Sequence, residues 1–201
     1  MKLENKILIG TNNPNKLKQF KAAFERYAPE IELLAPMDLG IMDDVEEDGD
    51  DLLTNAKKKA QFFGEKANLI CLSDDTGIFV DVLNGEPGLH SKRWHDGTDR
   101  ERCLKLIDRL KNFKPEEKTA RYIGVVVVYD PRKKEFWDFE RRVEGWVADQ
   151  FKGIYGFGYD GIFKTSQFEK HYAQLTDEQK DQISHRSRGV KSFVEYLKKL
   201  S

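Results

Sequence analysis

The chain has 201 residues, 39 % of them hydrophobic and 11 % aromatic, which is enough for one domain to bury a core of its own and argues against a disordered chain. Its 34 lysines and arginines stand against 35 aspartates and glutamates, so a net charge of −1 offers no overall field to nucleic acid or to an anionic membrane, and any anion site must be local. No run approaches the about 20 apolar residues of a membrane span.

Residues 1–5 carry the charges of Lys2 and Glu4, and Ile7-Leu8-Ile9 is too short for a signal-peptide core. Residues 6–10 read as a strand and 15–27 as a helix with Leu17, Phe20 and Phe24 on its apolar face. Between them lies Thr11-Asn12-Asn13-Pro14-Asn15-Lys16. Asn13 suits the N-cap and Pro14 the first helical position, so the free amides of the helix start, with Lys16 one turn in, form a cradle for phosphate without the glycine spacing of a P-loop. Without other evidence the same stretch is an ordinary capped helix after a strand.

Residues 31–34 predict a second strand, followed by the acidic run Asp43-Asp44-Val45-Glu46-Glu47-Asp48-Gly49-Asp50-Asp51. That run leads into a helix from Leu52 to about Ala67, which it can cap, or it can lend a carboxylate to a metal. Lys57, Lys58 and Lys59 on this helix cannot all face one way at about 100° per residue, so one is expected to turn toward a phosphate and the others toward solvent.

The apolar run Leu69-Ile70-Cys71-Leu72 runs into Ser73-Asp74-Asp75-Thr76-Gly77. By itself this is a turn, with Gly77 supplying a positive φ. Two carboxylates delivered to the end of a buried strand also make a corner for a hard divalent ion, which takes one or two carboxylates together with substrate phosphates. Residues 78–83 then read as a strand, Asn84-Gly85-Glu86-Pro87-Gly88 as a dense turn, and Arg93-Trp94 as loop. Thr98 and Glu101 make a capping box for a helix reaching about Phe113. Residues 121–129, with four consecutive valines, and 136–147 read as paired strands across Asp130-Pro131, which breaks the strand-helix alternation and predicts a mixed sheet with a central hairpin.

Residues 151–163 are dense in aromatics and glycines, so the backbone can pass close to a ligand while Phe157 and Tyr159 offer flat faces to a base. Thr176 and Gln179 form a second capping box, placing Lys180 on a short helix before Ser184-His185-Arg186, and a final helix from about Arg188 to Leu200 carries Val190, Phe193, Val194 and Leu197 at core spacing. Cys71 and Cys103 show no metal-ligand spacing and read as reduced thiols of an intracellular protein. Lys16, Lys180 and Arg186 with one acidic corner and one aromatic loop, in a neutral protein, together describe a pocket for a nucleotide and its magnesium.

The segments Thr11-Asn12-Asn13-Pro14-Asn15-Lys16, Ser73-Asp74-Asp75-Thr76-Gly77, Asn84-Gly85-Glu86-Pro87-Gly88, Gly156-Phe157-Gly158-Tyr159-Asp160 and Ser184-His185-Arg186 occur in the order and approximate spacing of the inosine triphosphate pyrophosphatase family, the Ham1-like or RdgB-like nucleotide pyrophosphatases. The resemblance spans nearly the whole chain. It implies a single domain over residues 1–201 with a long mixed central β-sheet and helices forming two lobes around a substrate cleft. It also implies a magnesium-dependent cytoplasmic homodimer that hydrolyses ITP, dITP and XTP to the monophosphate and pyrophosphate, without nucleic acid or membrane as partner. By resemblance Asp75 is metal ligand and general base, with Asp74 left open as the alternative base, and Glu46 is the second metal carboxylate unless a one-residue shift gives that place to Glu47. Thr11, Asn12, Asn13, Pro14, Asn15 and Lys16 bind substrate, with Asn13 and Lys16 on its phosphates, Thr76 binds substrate where the family commonly has Ser, and Phe157, Gly158, Tyr159 and Asp160 form the base pocket with Lys180, His185 and Arg186. Gly161 departs from the Pro usual after that Asp.

Two rival readings stand beside this one. A Maf-like nucleotide pyrophosphatase would act on other modified or pyrimidine nucleotides, but the ordered motifs fit the first family better. The stretch 152–159 loosely echoes the aromatic signature of an RNA-recognition motif, against which stand the net charge of −1 and a glycine at a strand-interior position.

Overall fold

A computed structural model describes residues 6–153 and 156–200. Residues 1–5, Ile154 and Tyr155 of the aromatic-glycine stretch, and Ser201 lie outside the described residues. The elements in chain order are β1 (Lys6–Ile9), α1 (Pro14–Tyr27), β2 (Glu32–Leu34), α2 (Leu52–Ala67), β3 (Cys71–Val80), β4 (Pro87–Gly88), α3 (Asp99–Leu110), β5 (Thr119–Asp130), β6 (Glu135–Val147), β7 (Phe163–Thr165), α4 (Asp177–Ile183) and α5 (His185–Leu200). This is a mixed α/β fold. Its sheet runs β2-β1-β3-β5-β6-β7, with β4 paired to β3. The β1–β2 and β1–β3 pairs are parallel and the β3–β4 and β6–β7 pairs antiparallel, and the expected hairpin strands β5 and β6 are neighbours. No helix among the described residues is long and apolar enough to cross a membrane.

The chain divides into two compact units, and β3, β5 and β6 each give one segment to either unit. The first unit holds residues up to Asp75, 124–141 and from Ser184 onward. Its core gathers Ile7, Ile9, Phe20, Phe24, Leu72, Val126, Val128, Val190 and Phe193, so that α1 and α5, which pack together, cover one face of the sheet. Leu8 and Cys71 point to the other face, against Phe63 of α2. With helices on both faces, β5 must be apolar on both, which is why its four valines read as a run rather than an alternation. The second unit has its own core of Ile78, Val80, Cys103, Leu106, Leu110, Val143, Tyr159, Ile162 and Phe163.

Helix boundaries follow the capping chemistry. Asn13 Oδ1 accepts the Asn15 and Lys16 amides at 2.9 and 3.3 Å with Pro14 in the first turn, and Asp51 accepts the Thr54 amide at 2.6 Å. The Thr98/Glu101 and Thr176/Gln179 boxes both form.

Two expectations are corrected. Ser73-Asp74-Asp75-Thr76-Gly77 is no turn: it lies in the interior of β3, a continuous ten-residue strand. Gly77 is needed not for a positive φ but for close approach, since a Cβ there would stand 2.3 Å from the Gly88 carbonyl oxygen on β4. The last helix begins earlier than the apolar spacing shows, so His185 and Arg186 occupy its first turn instead of the loop before it.

Candidate active site

The first unit builds a charge cluster from the unequal lengths of two paired strands. β1 is in register with β3 up to Ile9 opposite Leu72, where the Gly10 amide donates to the Leu72 carbonyl at 2.8 Å and Ser73 Oγ to the Gly10 carbonyl at 2.9 Å. There β1 stops while β3 continues. Asp74 and Asp75 therefore extend past the end of β1, beside the start of α1. Neighbouring side chains on a strand point to opposite faces. Asp74, in phase with Leu72, faces α1 and α5, and Asp75, in phase with Cys71, faces α2.

On the first face Asp74 is a hub for three basic side chains. Lys16 Nζ lies 3.2 Å from Oδ1, Arg186 donates to Oδ2 at 2.7 Å, and His185 Nε2 stands 3.6 Å from Oδ2. Lys16 also donates to the Asp74 carbonyl at 3.3 Å, and Gln19 accepts from Arg186 at 2.7 Å. Burial alone would raise the Asp74 pKa, but Arg186, Lys16 and His185 outweigh it and hold the carboxyl well below the usual carboxylate range. Burial lowers Lys16 to about 8 and His185 to about 4, so the imidazole is neutral near pH 7. It sits on Gly124, where any Cβ would fall 2.2 Å from the ring.

On the second face Asp75 accepts from the Asn55 amide at 3.3 Å and lies 3.7 Å from Lys59 Nζ, which also pairs with Glu47. Burial comes first for Asp75 and raises its pKa, against the pull of Lys59 and Lys16. For Lys59 burial is outweighed by Asp75, Glu47 and Asp74, so its ammonium is held above the ordinary value. The adjacent aspartates thus differ: one is locked as an anion, the other is biased toward taking a proton.

The acidic run is pinned along α2. Asp43 pairs with Lys66, Asp48 with Lys58 and Glu47 with Lys59, while Gly49 donates to Asn55 at 2.8 Å. It is the half-buried Glu47 that reaches Lys59 beside Asp75, and Glu46 is exposed. Of the three consecutive lysines Lys59 turns inward, Lys58 faces Asp48, and Lys57 lies over the Phe136 ring. Asn12 donates to the Asp43 carbonyl at 3.1 Å and Thr11 Oγ1 accepts the Asn13 amide at 3.2 Å, while Pro14 and Asn15 are exposed at the start of α1.

The remaining expected residues belong to the second unit. Thr76 follows on β3, half-buried. Asp160 accepts the Phe157 amide and the Tyr122 hydroxyl, each at 3.1 Å, and Asp99 of α3 accepts the Gly158 amide at 2.6 Å. Phe157 is half-buried. Tyr159 is only 3 % exposed, packed in the core with its hydroxyl donating to the Ser91 carbonyl at 2.9 Å, so Phe157 is the more exposed ring of this pair. Lys180 is half-buried on α4. Gly161 leaves room for the Phe151 ring, which a Cβ would meet at 2.3 Å.

Sequence reasoning brought together Lys16, Asp74 and Asp75. It did not single out Asn55, Gln19, Asp99 or Tyr122, and it did not choose among the lysines of α2. For Asn55 and Lys59 a signal existed: they lie four apart within the buried stripe Leu52, Ala56, Ala60, Phe63 of α2, a polar pair where only apolar residues are needed.

The Ham1 family model matches residues 7–196. The chain is 40 % identical over 196 residues to the dITP/XTP pyrophosphatase of Thermoanaerobacter pseudethanolicus, covering 96 % of this chain and 97 % of that protein. It is 34 % identical over 192 residues to the dITP/XTP pyrophosphatase of Bacillus subtilis, with 94 % and 96 % covered. Among solved structures the Staphylococcus aureus Ham1 protein superposes with a TM-score of 0.83 at 33 % identity, over 98 % of this chain and 100 % of that one. With the family model and these relatives spanning nearly its full length, the chain belongs to the Ham1 family.

Proposed function

We propose that this chain is a nucleoside triphosphate pyrophosphatase that hydrolyses the deaminated purine nucleotides ITP, dITP and XTP to the monophosphate and pyrophosphate, clearing them from the cytoplasmic nucleotide pool. One catalytic domain over residues 1–201 and a homodimeric working form belong to this reading through the family resemblance. The relatives named dITP/XTP pyrophosphatase support the reaction and disfavour a Maf-like enzyme of other nucleotides. The observation that carries the mechanism is the division of labour between Asp74 and Asp75.

Asp75 is the base. Lys16, Arg186 and His185 engage Asp74 on the opposite face of β3, which leaves Asp75, beside Asn55 and Lys59, to take the proton of the attacking water. That water attacks the α-phosphorus, the bond to the bridging oxygen breaks, and pyrophosphate leaves with the electron pair. Lys16, at the N-terminus of α1 where amides and dipole favour an anion, and Lys59 neutralise the triphosphate oxygens. The oxygen donors Asp75 and Glu47, held 3.7 Å and closer to the Lys59 ammonium, fit a hard divalent cation that takes one or two carboxylates and completes its shell with substrate phosphates. Magnesium, when bound there by Asp75 and Glu47 (or Glu46, one residue earlier), supplies charge neutralisation on the triphosphate.

The base rests against Phe157 in the loop held by Asp160, and Lys180 offers it donors only. Hypoxanthine and xanthine carry a keto oxygen at position six and accept from such a group, whereas the amino group of adenine leaves both partners unsatisfied. Steady-state release of pyrophosphate from ITP, XTP, GTP and ATP under identical magnesium tests this. ITP and XTP are expected to exceed ATP in kcat/KM by about 10⁴-fold, and comparable values for ATP and ITP would overturn it.

A further inference from the structure

We propose that Asp99, with Cys103 one turn later on α3, is a positioning residue for the loop that carries Phe157 and thereby for selection of the base; this rests on the reading that Phe157 contacts the base. Residues four apart lie on one helix face. From that face Asp99 Oδ2 accepts the Gly158 amide at 2.6 Å, and the buried Cys103 thiol donates to the Gly158 carbonyl at 3.3 Å. Both peptide groups of a residue with φ +61° are therefore held by one helix. The second oxygen of Asp99 pairs with Arg102, whose guanidinium is tied to the Gly97 carbonyl at 2.7 Å and the His95 carbonyl at 3.3 Å, so the carboxylate cannot swing away freely.

On the other side of Phe157 its own amide is held by Asp160, which is fixed in turn by Tyr122. Gly156, at φ +132°, has no space for a Cβ because Asp160 Oδ2 would lie 2.5 Å from it. Phe157 thus stands between two amides, each accepted by a different carboxylate. Its Cα–Cβ direction is set by Asp160 and Asp99 together. Losing Asp99 frees one of the two while leaving the Asp74–Asp75 cluster as it is.

The experiment compares Asp99→Ala, Asp99→Asn and Phe157→Ala for ITP and GTP kinetics, with thermal unfolding of each. In Asp99→Ala, KM for ITP is expected to rise roughly tenfold with kcat within about twofold, and the ITP/GTP ratio of kcat/KM to narrow, the loss expected for one charge-assisted hydrogen bond. Asp99→Asn, whose carboxamide oxygen still accepts, is expected to recover most of the KM. A purely structural role for Asp99 would lower the unfolding temperature without this split between KM and kcat. If Phe157→Ala raises KM and Asp99→Ala does not, the positioning proposal is overturned while the base-loop reading stands. An unchanged KM in Phe157→Ala overturns the base-loop reading and the proposal with it. Should Asp99→Ala not fold, Cys103→Ala removes the other contact of the same clamp, and an unchanged KM there is the overturning result.

Discussion

At the scale of single residues, two neighbouring aspartates stand in different surroundings because a strand sends them to opposite faces. Asp74 meets Lys16, Arg186 and His185 and is a structural anion, while Asp75 meets Asn55 and Lys59 and keeps its proton affinity. The two amide substitutions should therefore fail in different ways. Asp75→Asn is expected to lower turnover by about 10²–10⁴ with thermal unfolding close to that of the native protein. Asp74→Asn leaves a buried guanidinium and ammonium without their anion, so it should lower stability by about 3–5 kcal/mol and activity along with it. Near-native turnover in a folded Asp75→Asn protein would remove Asp75 from the chemistry, and an unaltered denaturant midpoint in Asp74→Asn would remove Asp74 from the anchor. Glu47 and Lys59 show how finely such assignments depend on geometry: Glu46 is one residue away in sequence and faces solvent.

At the scale of elements, β3 organises the site because it outlasts β1. The paired region ends at Ile9 and Leu72, and the following residues of β3 carry the carboxylates into the space beyond. Continuity of this strand through Gly77 depends on close contact with β4, where a methyl group would meet the Gly88 carbonyl oxygen at 2.3 Å. Gly77→Ala should therefore force the two strands apart at a cost of about 1–3 kcal/mol. The substitution adds no charge and removes no catalytic group, so the expected signature is a lower denaturation midpoint with reduced kcat from displaced carboxylates. A Gly77→Ala variant as stable as the native protein would show that the strand pair yields there. The capped ends of α1, α2 and α3 were legible in sequence because a cap is local chemistry between residues two or three apart. The course of β3 was not legible, because Asp, Thr and Gly are turn formers by propensity and only the neighbouring strand and the basic groups around Asp74 override it.

At the scale of the whole molecule, the buried charge cluster ties folding stability to pH. His185 faces Asp74 from β3, Lys16 from α1 and its neighbour Arg186 on α5, and its folded pKa is about 4 against an unfolded value near 6.5. Above that unfolded value both states are neutral and His185 adds no pH dependence. Between about 6.5 and 4 the unfolded chain binds a proton that the folded one refuses, so stability falls with acidification, by a limit of about 3 kcal/mol. Denaturant unfolding at pH 7, 6 and 5 should show the stability gap between the native protein and His185→Gln closing as pH falls, and a constant gap would remove His185 as the cause. The amino-acid sequence by itself determined the α/β class, the mixed sheet with its valine-rich strand, the helix starts, and the ordered motifs of the Ham1 family, because periodicity, caps and motifs are written within a few residues of one another. Only the tertiary structure decided that Asp74 and Asp75 part to opposite faces, that Glu47 and Lys59 are the acidic and basic residues turned inward, that His185 and Arg186 close on Asp74, and that Tyr159 is core rather than a stacking face. Each of these depends on strand register and on where a helix packs, contacts between residues far apart in the chain, and no local propensity encodes them.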